Sequence, residues 1–555
     1  MINGNMYAIY LHPLFRFGLL PFLGGLAYAA GFPNKNDTTF FLGPLLGMGY
    51  LLWVLFPTDS EKKSENRLFK ELGAVLSFSV GHYLLGFYWI PYTIEVFGQV
   101  PFPFNQTLGL FFSLIILPQF LVFLLLKYLF LKFEIRRLWP VATRERAHLF
   151  FALTFTLLEY FTPQQFPSHL GHPWLSFAPY LGTAPILGVA GFSFFSYYLI
   201  LILISYFQKQ GLNKSGPIFI ALFIIFNFAI PLTKPSLTNE TTQSVNIRMV
   251  QPNIGNYLKV SSETGDAQSL GEVLDLYYQL TTAPSEKPLD LIIWPETAYP
   301  RLLSSSLMKS SPLYSPRLVQ DSLKAHQAEL FFGGYDQVTK ETLPSDYFET
   351  EYNSAFLVNS DGLLKDVYHK RVLIPFGESL PFGPFNKYLS QLIQNISFFA
   401  RGENFTLFQT ARLQSFISVI CYEILFSSYV RTYLNEVERH PLFLVNLTND
   451  SWYGDTAEPF QHLFLAKWRA LEFDIPILRM TNTGITSVIY PDGSEGRRLL
   501  PFTLGNLDEE VALKNRKGTW FQFFGIWGIL LLVIGLYGLN ELFSLLFSKR
   551  KSPLS

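Results

Sequence analysis

Ser418-Val419-Ile420-Cys421-Tyr422-Glu423-Ile424-Leu425 is the stretch on which the reading of this chain turns. Cys421 is the only cysteine among 555 residues. It stands where an apolar strand-like run, Phe416 to Ile420, stops and a helix-like run, Glu423 to Leu434, starts. A strand-to-helix elbow pushes its central side chain out of the sheet edge and turns backbone N–H groups toward whatever that side chain attacks. A thiol so placed is a candidate nucleophile. A lone cysteine also packs as a small hydrophobe, and position alone leaves both readings open. One cysteine excludes an intrachain disulfide and a cysteine-rich metal site.

Around the elbow, the block 244–515 alternates short apolar runs with amphipathic ones. Strand candidates are Val245–Val250, Leu289–Trp294, Leu330–Gly334, Ser354–Val358, Gln414–Ile420, Leu442–Leu447, Ile475–Met480 and Thr486–Tyr490. Helix candidates are Gln268–Leu280, Arg317–Ala328, Ile424–Leu434 and Pro459–Phe473. Strands mixed with helices of this length predict an α/β domain. Tyr490-Pro491-Asp492-Gly493 reads as a hairpin turn.

Outside that block the chain is far more apolar. Hydrophobic residues make up 49% of the whole and charged residues 15%, with a mean hydropathy of +0.23. This composition points to membrane segments. Spans are expected near 14–31, 39–57, 71–93, 107–131, 148–162, 183–206, 216–233 and 520–547. The expected organisation is 1–240 as about seven transmembrane helices, 241–515 as a catalytic domain and 516–555 as a last helix with a basic tail. Lys62, Lys63, Arg67 and Lys70 lie in one loop, and Arg136, Arg137, Arg144 and Arg146 in another. Lys209 and Lys214 lie in a third, and Lys549, Arg550 and Lys551 follow the last span. The intervening loops 94–106 and 163–182 have no Lys or Arg, and Lys35 is the exception on that side. By the positive-inside rule both termini are expected in the cytoplasm and the catalytic block on the outer, periplasmic face of a bacterial inner membrane. The formal net charge of +0 makes nucleic acid an unexpected partner.

Two other stretches of the α/β block set ionisable groups beside apolar strands. Leu291-Ile292-Ile293-Trp294-Pro295-Glu296 presents a carboxylate just past a strand, where it can act as a general base. Tyr368-His369-Lys370-Arg371 leads into Pro375-Phe376-Gly377-Glu378. Lys370 is a candidate oxyanion stabiliser and Glu378 a second carboxylate. In isolation each reads better as a solvated loop charge. Together, Glu, Lys and Cys form a machine in which the carboxylate takes the thiol proton and the lysine steadies the oxyanion.

These residues resemble the Glu-Lys-Cys signature of the nitrilase superfamily. With membrane spans on both sides, the chain is similar to one branch of it, the apolipoprotein N-acyltransferases. Further matches are Val250-Gln251-Pro252-Asn253, Tyr352-Asn353-Ser354-Ala355, Thr448 to Gly454, Gln461-His462 with Arg469-Ala470-Leu471-Glu472, and Arg479 to Gly484. The resemblance implies an α-helical membrane bundle of about eight transmembrane helices plus a nitrilase-like αββα sandwich domain. It implies Glu296, Lys370 and Cys421 as catalytic residues, supported by Glu378, Tyr422 and Glu423. Tyr422 would lend a backbone N–H to the oxyanion, Glu378 would orient Lys370, and Glu423 would support the elbow or gate the site. Trp174, Gln251, Asn253, Trp294, Asn449, Trp452 and His462 become candidate substrate-binding residues. Neither metal nor diffusible cofactor is implied. The implied partners are a membrane phospholipid as acyl donor, a diacylglyceryl apolipoprotein as acceptor, and the lipid bilayer. The competing reading is a membrane-anchored amidohydrolase of nitrilase type, with water as the acceptor.

Three places depart from the family pattern. Glu159 is followed by Tyr160-Phe161-Thr162-Pro163, Val260 stands where an aromatic is expected, and the run 261–265 is altered. They lie away from the triad, where the resemblance puts lipid or lipoprotein.

Overall fold

The computed structural model describes residues 12–57, 66–96, 98–133, 144–209, 215–233, 243–338, 351–392 and 398–548. Lys62, Lys63, Arg136, Arg137, Lys214 and Lys549 to Lys551 of the loop-charge pattern lie outside them. The chain divides into a helical unit, Met1–Tyr88 with Gln106–Lys234 and Thr519–Ser555, and an α/β unit, Trp89–Asn105 with Pro235–Gly518. Residues 89–105, read from sequence as part of the membrane region, group instead with the α/β unit.

In the helical unit the apolar runs form helices, but fewer uninterrupted ones than hydropathy suggests. Among the described residues, one helix, Ala184–Phe207, is long and apolar enough to cross a membrane, or three if each of two bent pairs counts as one span. The run expected at 71–93 splits into Arg67–Gly86, in this unit, and Ile90–Val96, which groups with the α/β unit, and the run at 107–131 splits before Pro118, which has no N–H for a continuous helix. Gly525, at φ +54°, separates Trp520–Phe524 from Ile526–Ser548. Phe15–Ala29, Leu42–Leu55, Ser215–Pro231 and Ile526–Leu542 are shorter apolar helices. Close approach of Leu20–Ala29 to Arg67–Gly86 depends on Gly25, where a Cβ would stand 2.0 Å from the Phe78 carbonyl oxygen.

The α/β unit has thirteen strands among the described residues. They are β1 (Gln243–Gln251), β2 (Leu291–Ile293), β3 (Tyr299–Leu303), β4 (Glu329–Gln337), β5 (Glu351–Val358), β6 (Leu364–His369), β7 (Phe408–Gln409), β8 (Ser415–Ile420), β9 (Phe443–Thr448), β10 (Ile477–Thr481), β11 (Thr486–Ile489), β12 (Glu495–Leu499) and β13 (Gly505–Leu513). One sheet runs β13-β1-β2-β4-β5-β6, with β3 also on β4, and the other runs β12-β11-β10-β9-β8-β7. The middle of each is parallel, β1, β2 and β4 in the first and β8, β9 and β10 in the second. The Tyr490 to Gly493 turn joins β11 to β12, with Gly493 at φ +79°. β3, β6, β7, β12 and β13 carry no clear hydrophobic alternation and were not expected from sequence.

Strand periodicity layers the unit. Leu330 and Phe332 pack with Val273, Tyr277, Val319 and Leu323 of helices Ala267–Thr282 and Arg317–His326. Phe331, between them, points to the other side, its ring 5.0 Å from Phe408 and 5.1 Å from Phe416 of the second sheet. The sheets therefore meet face to face. The parallel strands end at the loops carrying Glu296, Cys421 and Asn449, the edge where such sheets bind ligands.

Gly333 on β4 lets the Glu296 turn lie against the sheet. Its N–H donates to the Pro295 carbonyl at 3.1 Å. A Cβ there would meet Pro295 O and Thr297 N at 2.5 Å and Glu296 Cα at 2.7 Å, all backbone. At Gly334 the nearest atom is a ring carbon of Phe356 at 3.3 Å, which can shift. Gly333→Ala should therefore cost about 1–3 kcal/mol, clearly more than Gly334→Ala, in thermal unfolding of the purified chain. Equal losses would contradict this account of the turn.

Candidate active site

Glu296 lies just beyond β2, Lys370 directly follows β6 and Cys421 directly follows β8. The structure brings Glu296, Lys370 and Glu378 into contact. Lys370 is fully buried, its Nζ 2.8 Å from Glu378 Oε1 and 3.2 Å from Glu296 Oε1. Burial works against the ammonium, but the two carboxylates, Glu296 first, outweigh it and hold the Lys370 pKa above the ordinary lysine range.

The carboxylates are themselves fixed. Asn353 on β5 donates from Nδ2 to Glu296 Oε1 at 2.8 Å and to Glu378 Oε1 at 3.2 Å. The backbone N–H of Asn449 donates to Glu296 Oε2 at 2.9 Å, and that of Ile374 to Glu378 Oε2 at 3.0 Å. Asn353 belongs to the Tyr352-Asn353-Ser354-Ala355 run, whose match to the family gave it no role; its partners Glu296 and Glu378 are distant in sequence, and its polar neighbours Glu351 and Ser354 do not single it out.

Cys421 is buried, with backbone φ +49°. Burial raises its thiol pKa, the Glu296 carboxylate raises it further, and Lys370 only partly opposes them, so it lies well above the ordinary value. At rest the sulfur is a neutral thiol that needs a base. The helix expected to start at Glu423 begins later. Cys421–Leu425 form a tight 3₁₀ turn, Phe426 is extended, and the helix runs Ser427–Glu436. Tyr422 packs on Phe426 with ring centroids 4.8 Å apart, and burial pushes its phenol pKa up.

Glu423 is a clamp for this elbow. Its Oε2 accepts from the Ile420 N–H at 2.8 Å, and its Oε1 accepts from the N–H groups of Arg371 at 2.7 Å and Val372 at 3.0 Å. The Tyr368 hydroxyl reaches it as well, at 2.8 Å. One carboxylate thus ties the cysteine turn on the second sheet to the backbone just after Lys370 on the first.

Several candidate substrate contacts have packing or tethering partners within the chain. The Trp294 indole points to the helix side of its sheet, against Tyr277 and Phe332, and donates to Thr281 Oγ1 at 2.9 Å. Gln251 is fully buried and donates to the carbonyls of Leu500 at 2.9 Å and Thr503 at 2.8 Å. Asn253 donates to the Phe502 carbonyl at 3.0 Å. Both hold the β12–β13 connection. Trp174, in the helical unit, is buried among Phe41, Phe192 and Phe223 and donates to Ser196 Oγ at 2.9 Å. Its loop is tied down by Glu159, whose Oε1 accepts from the Leu170 N–H at 3.0 Å and the Tyr197 hydroxyl at 2.6 Å. Trp452 is partly exposed in the turn Asp450–Tyr453. His462 is buried between Asp450 and the Cys421 carbonyl. Among the described residues, Asp450, Glu458 and His462 form the one group with metal-ligand spacing, their ligand atoms within 4.8 Å of one another. Arg479, 3.0 Å from Asp450, already supplies a cation there. The altered run 261–265 ends helix Asn256–Thr264, capped by Gly265 at φ +110°.

Residues 246–512 match the carbon-nitrogen hydrolase family model, and residues 23–202 match that of the apolipoprotein N-acyltransferase N-terminal domain. The apolipoprotein N-acyltransferase of Bdellovibrio bacteriovorus is 30% identical over 475 residues, which are 81% of this chain and 82% of that protein. The chain belongs to the apolipoprotein N-acyltransferase family. Family members from Haemophilus ducreyi and Haemophilus influenzae are 29% and 28% identical, over 82% and 90% of this chain and 84% and 89% of those proteins. Among solved structures, a nitrilase-superfamily amidase from Nesterenkonia AN1 is 16% identical, spanning 48% of this chain and 90% of that one with a TM-score of 0.33.

The electrostatics around Cys421 give a direct test. Alkylation of Cys421 by iodoacetamide, followed against pH, should reach its midpoint above the free-thiol value of about 8.5. Glu296→Gln removes an adjacent negative charge and should move that midpoint down. A parent midpoint in the ordinary thiol range would contradict the account of burial and charge.

Proposed function

We propose that this chain N-acylates the N-terminal S-diacylglyceryl-cysteine of apolipoproteins, using a membrane phospholipid as acyl donor. The observation that carries the reading is the buried Glu296–Lys370–Glu378 cluster beside the Cys421 elbow, in a chain of this family. In the first half-reaction Glu296 takes the thiol proton and the thiolate attacks the carbonyl carbon of the acyl ester. Lys370 and the Tyr422 backbone N–H stabilise the oxyanion. The carbon–oxygen bond breaks, and the lysophospholipid alkoxide leaves with the proton from Glu296. A thioester remains on Cys421.

In the second half the α-amine of the diacylglyceryl-cysteine attacks the thioester. Its proton goes to Glu296 and then to the departing thiolate, leaving an amide on a triacylated product. Glu378 and Asn353 keep Lys370 and Glu296 in register throughout. Among the described residues seven apolar spans, counting the shorter helices and each bent pair as one, support the multi-pass part of an eight-span topology, and the Lys and Arg bias of the loops supports the α/β unit on the periplasmic face and both termini in the cytoplasm. Both substrates are lipid-anchored, so a site at the bilayer gains from their high local concentration.

Incubated with phospholipid alone, the protein should gain a fatty-acyl mass on Cys421 and release lysophospholipid, read by mass spectrometry. Cys421→Ala should gain none, and Glu296→Gln should form the adduct at least about a hundredfold more slowly. A diacylated lipopeptide should discharge it. Discharge by water at the same rate would make the chain a hydrolase and sink the transferase reading.

A further inference from the structure

The left-handed backbone at Cys421 is disfavoured for a residue with a Cβ, so neighbouring contacts must hold it. Glu423 holds the side before it, through the Ile420 N–H. On the other side the Cys421 carbonyl oxygen faces His462 Nε2 at 3.3 Å, and both residues are buried. A carbonyl has no proton to give, so the hydrogen in that contact belongs to Nε2.

The rest of the imidazole is equally constrained. Nδ1 lies 3.1 Å from Asp450 Oδ1 and 3.6 Å from Glu458 Oε1. Asp450 is held in turn by Arg479 Nη2 at 3.0 Å, and Arg479 Nη1 is anchored on Asn446 Oδ1 at 2.8 Å. Both ring nitrogens therefore face oxygen acceptors. Burial pushes the Glu458 pKa well above the carboxylate range and, with the Arg479 charge, holds the His462 pKa down. The hydrogen-bond contact between this cluster and the cysteine is made to the Cys421 backbone carbonyl.

We propose that His462 is a positioning residue for the nucleophile: donating to the Cys421 carbonyl, it holds the left-handed turn that aims the thiol. The inference rests on the thioester reading above, and it gives the histidine a role in the first half-reaction in place of substrate contact. Asp450 and Arg479 orient the ring.

The test is single-turnover acylation of Cys421 in the full chain with phospholipid vesicles. His462→Leu, similar in bulk but without a donor, should slow acylation at least tenfold with little change in the phospholipid concentration giving half-maximal rate. His462→Gln, whose amide N–H can reach the carbonyl, should recover to within about threefold of the parent. If the leucine variant does not fold, Gln against the shorter Asn decides: Gln at least tenfold faster supports the proposal, and equal rates overturn it. A loss carried by half-saturation alone, or equal rates for Leu and Gln, also overturns it. Failure of the parent chain to form any adduct on Cys421 is a separate outcome, which overturns the thioester reading together with what rests on it.

Discussion

A fully buried lysine between two carboxylates sets the geometry of the α/β unit. Lys370 has no water to solvate its ammonium, so the 2.8 Å and 3.2 Å contacts to Glu378 and Glu296 must both be made for the charge to be tolerated. Removing one partner from such a buried pair costs about 3–5 kcal/mol, because the remaining charge is left uncompensated. The constraint propagates outward. Glu296 needs Asn353 and the Asn449 N–H, Asn353 must sit on β5 beside β4, and β4 needs Gly333 for the Glu296 turn to lie against it. Glu423 then ties the lysine loop to the cysteine elbow.

In the reaction proposed for this chain, the same cluster would let chemistry proceed in a site that cannot change its total charge cheaply. One ammonium and two carboxylates leave a net negative charge near the thiol, and together with burial this keeps the sulfur protonated. When the proton moves to Glu296 and the thiolate attacks, negative charge leaves the carboxylate and appears on the carbonyl oxygen. Lys370 loses one anionic partner and gains another. The net charge of the buried site is unchanged, so little reorganisation is needed as the transition state forms. Glu378, which takes no proton in this scheme, is the fixed partner that keeps the ammonium in place during the exchange.

Cys421 and Glu296 were legible as candidates because each follows an apolar run that reads as a strand. Lys370 follows the unpatterned β6 and gained weight only from its order between them and from the family motif. What could not be read were roles fixed by partners distant in sequence. Gln251 and Asn253 resemble site residues, yet they bind the carbonyls of Leu500, Thr503 and Phe502, which only β1–β13 pairing brings near. Trp294 lies two residues before Glu296 in sequence, but its indole turns to the helix layer. Hydropathy likewise counts apolar residues without registering that Pro118 or Gly525 divides a run into two helices.

The elbow shows why a strained residue can serve as the nucleophile. A cysteine at φ +49° is disfavoured, and with no other support the turn would relax toward an ordinary helix start and swing the thiol away. Contacts on both sides prevent this, Glu423 on the Ile420 N–H and His462 on the Cys421 carbonyl. Both anchors belong to buried networks, one running to Tyr368 and the lysine loop, the other to Asp450 and Arg479. The strain at one residue is thus offset by hydrogen bonds distributed over both sheets. Sulfur direction is thereby coupled to sheet packing, and a change that loosens either network should affect the chemistry before it affects the fold.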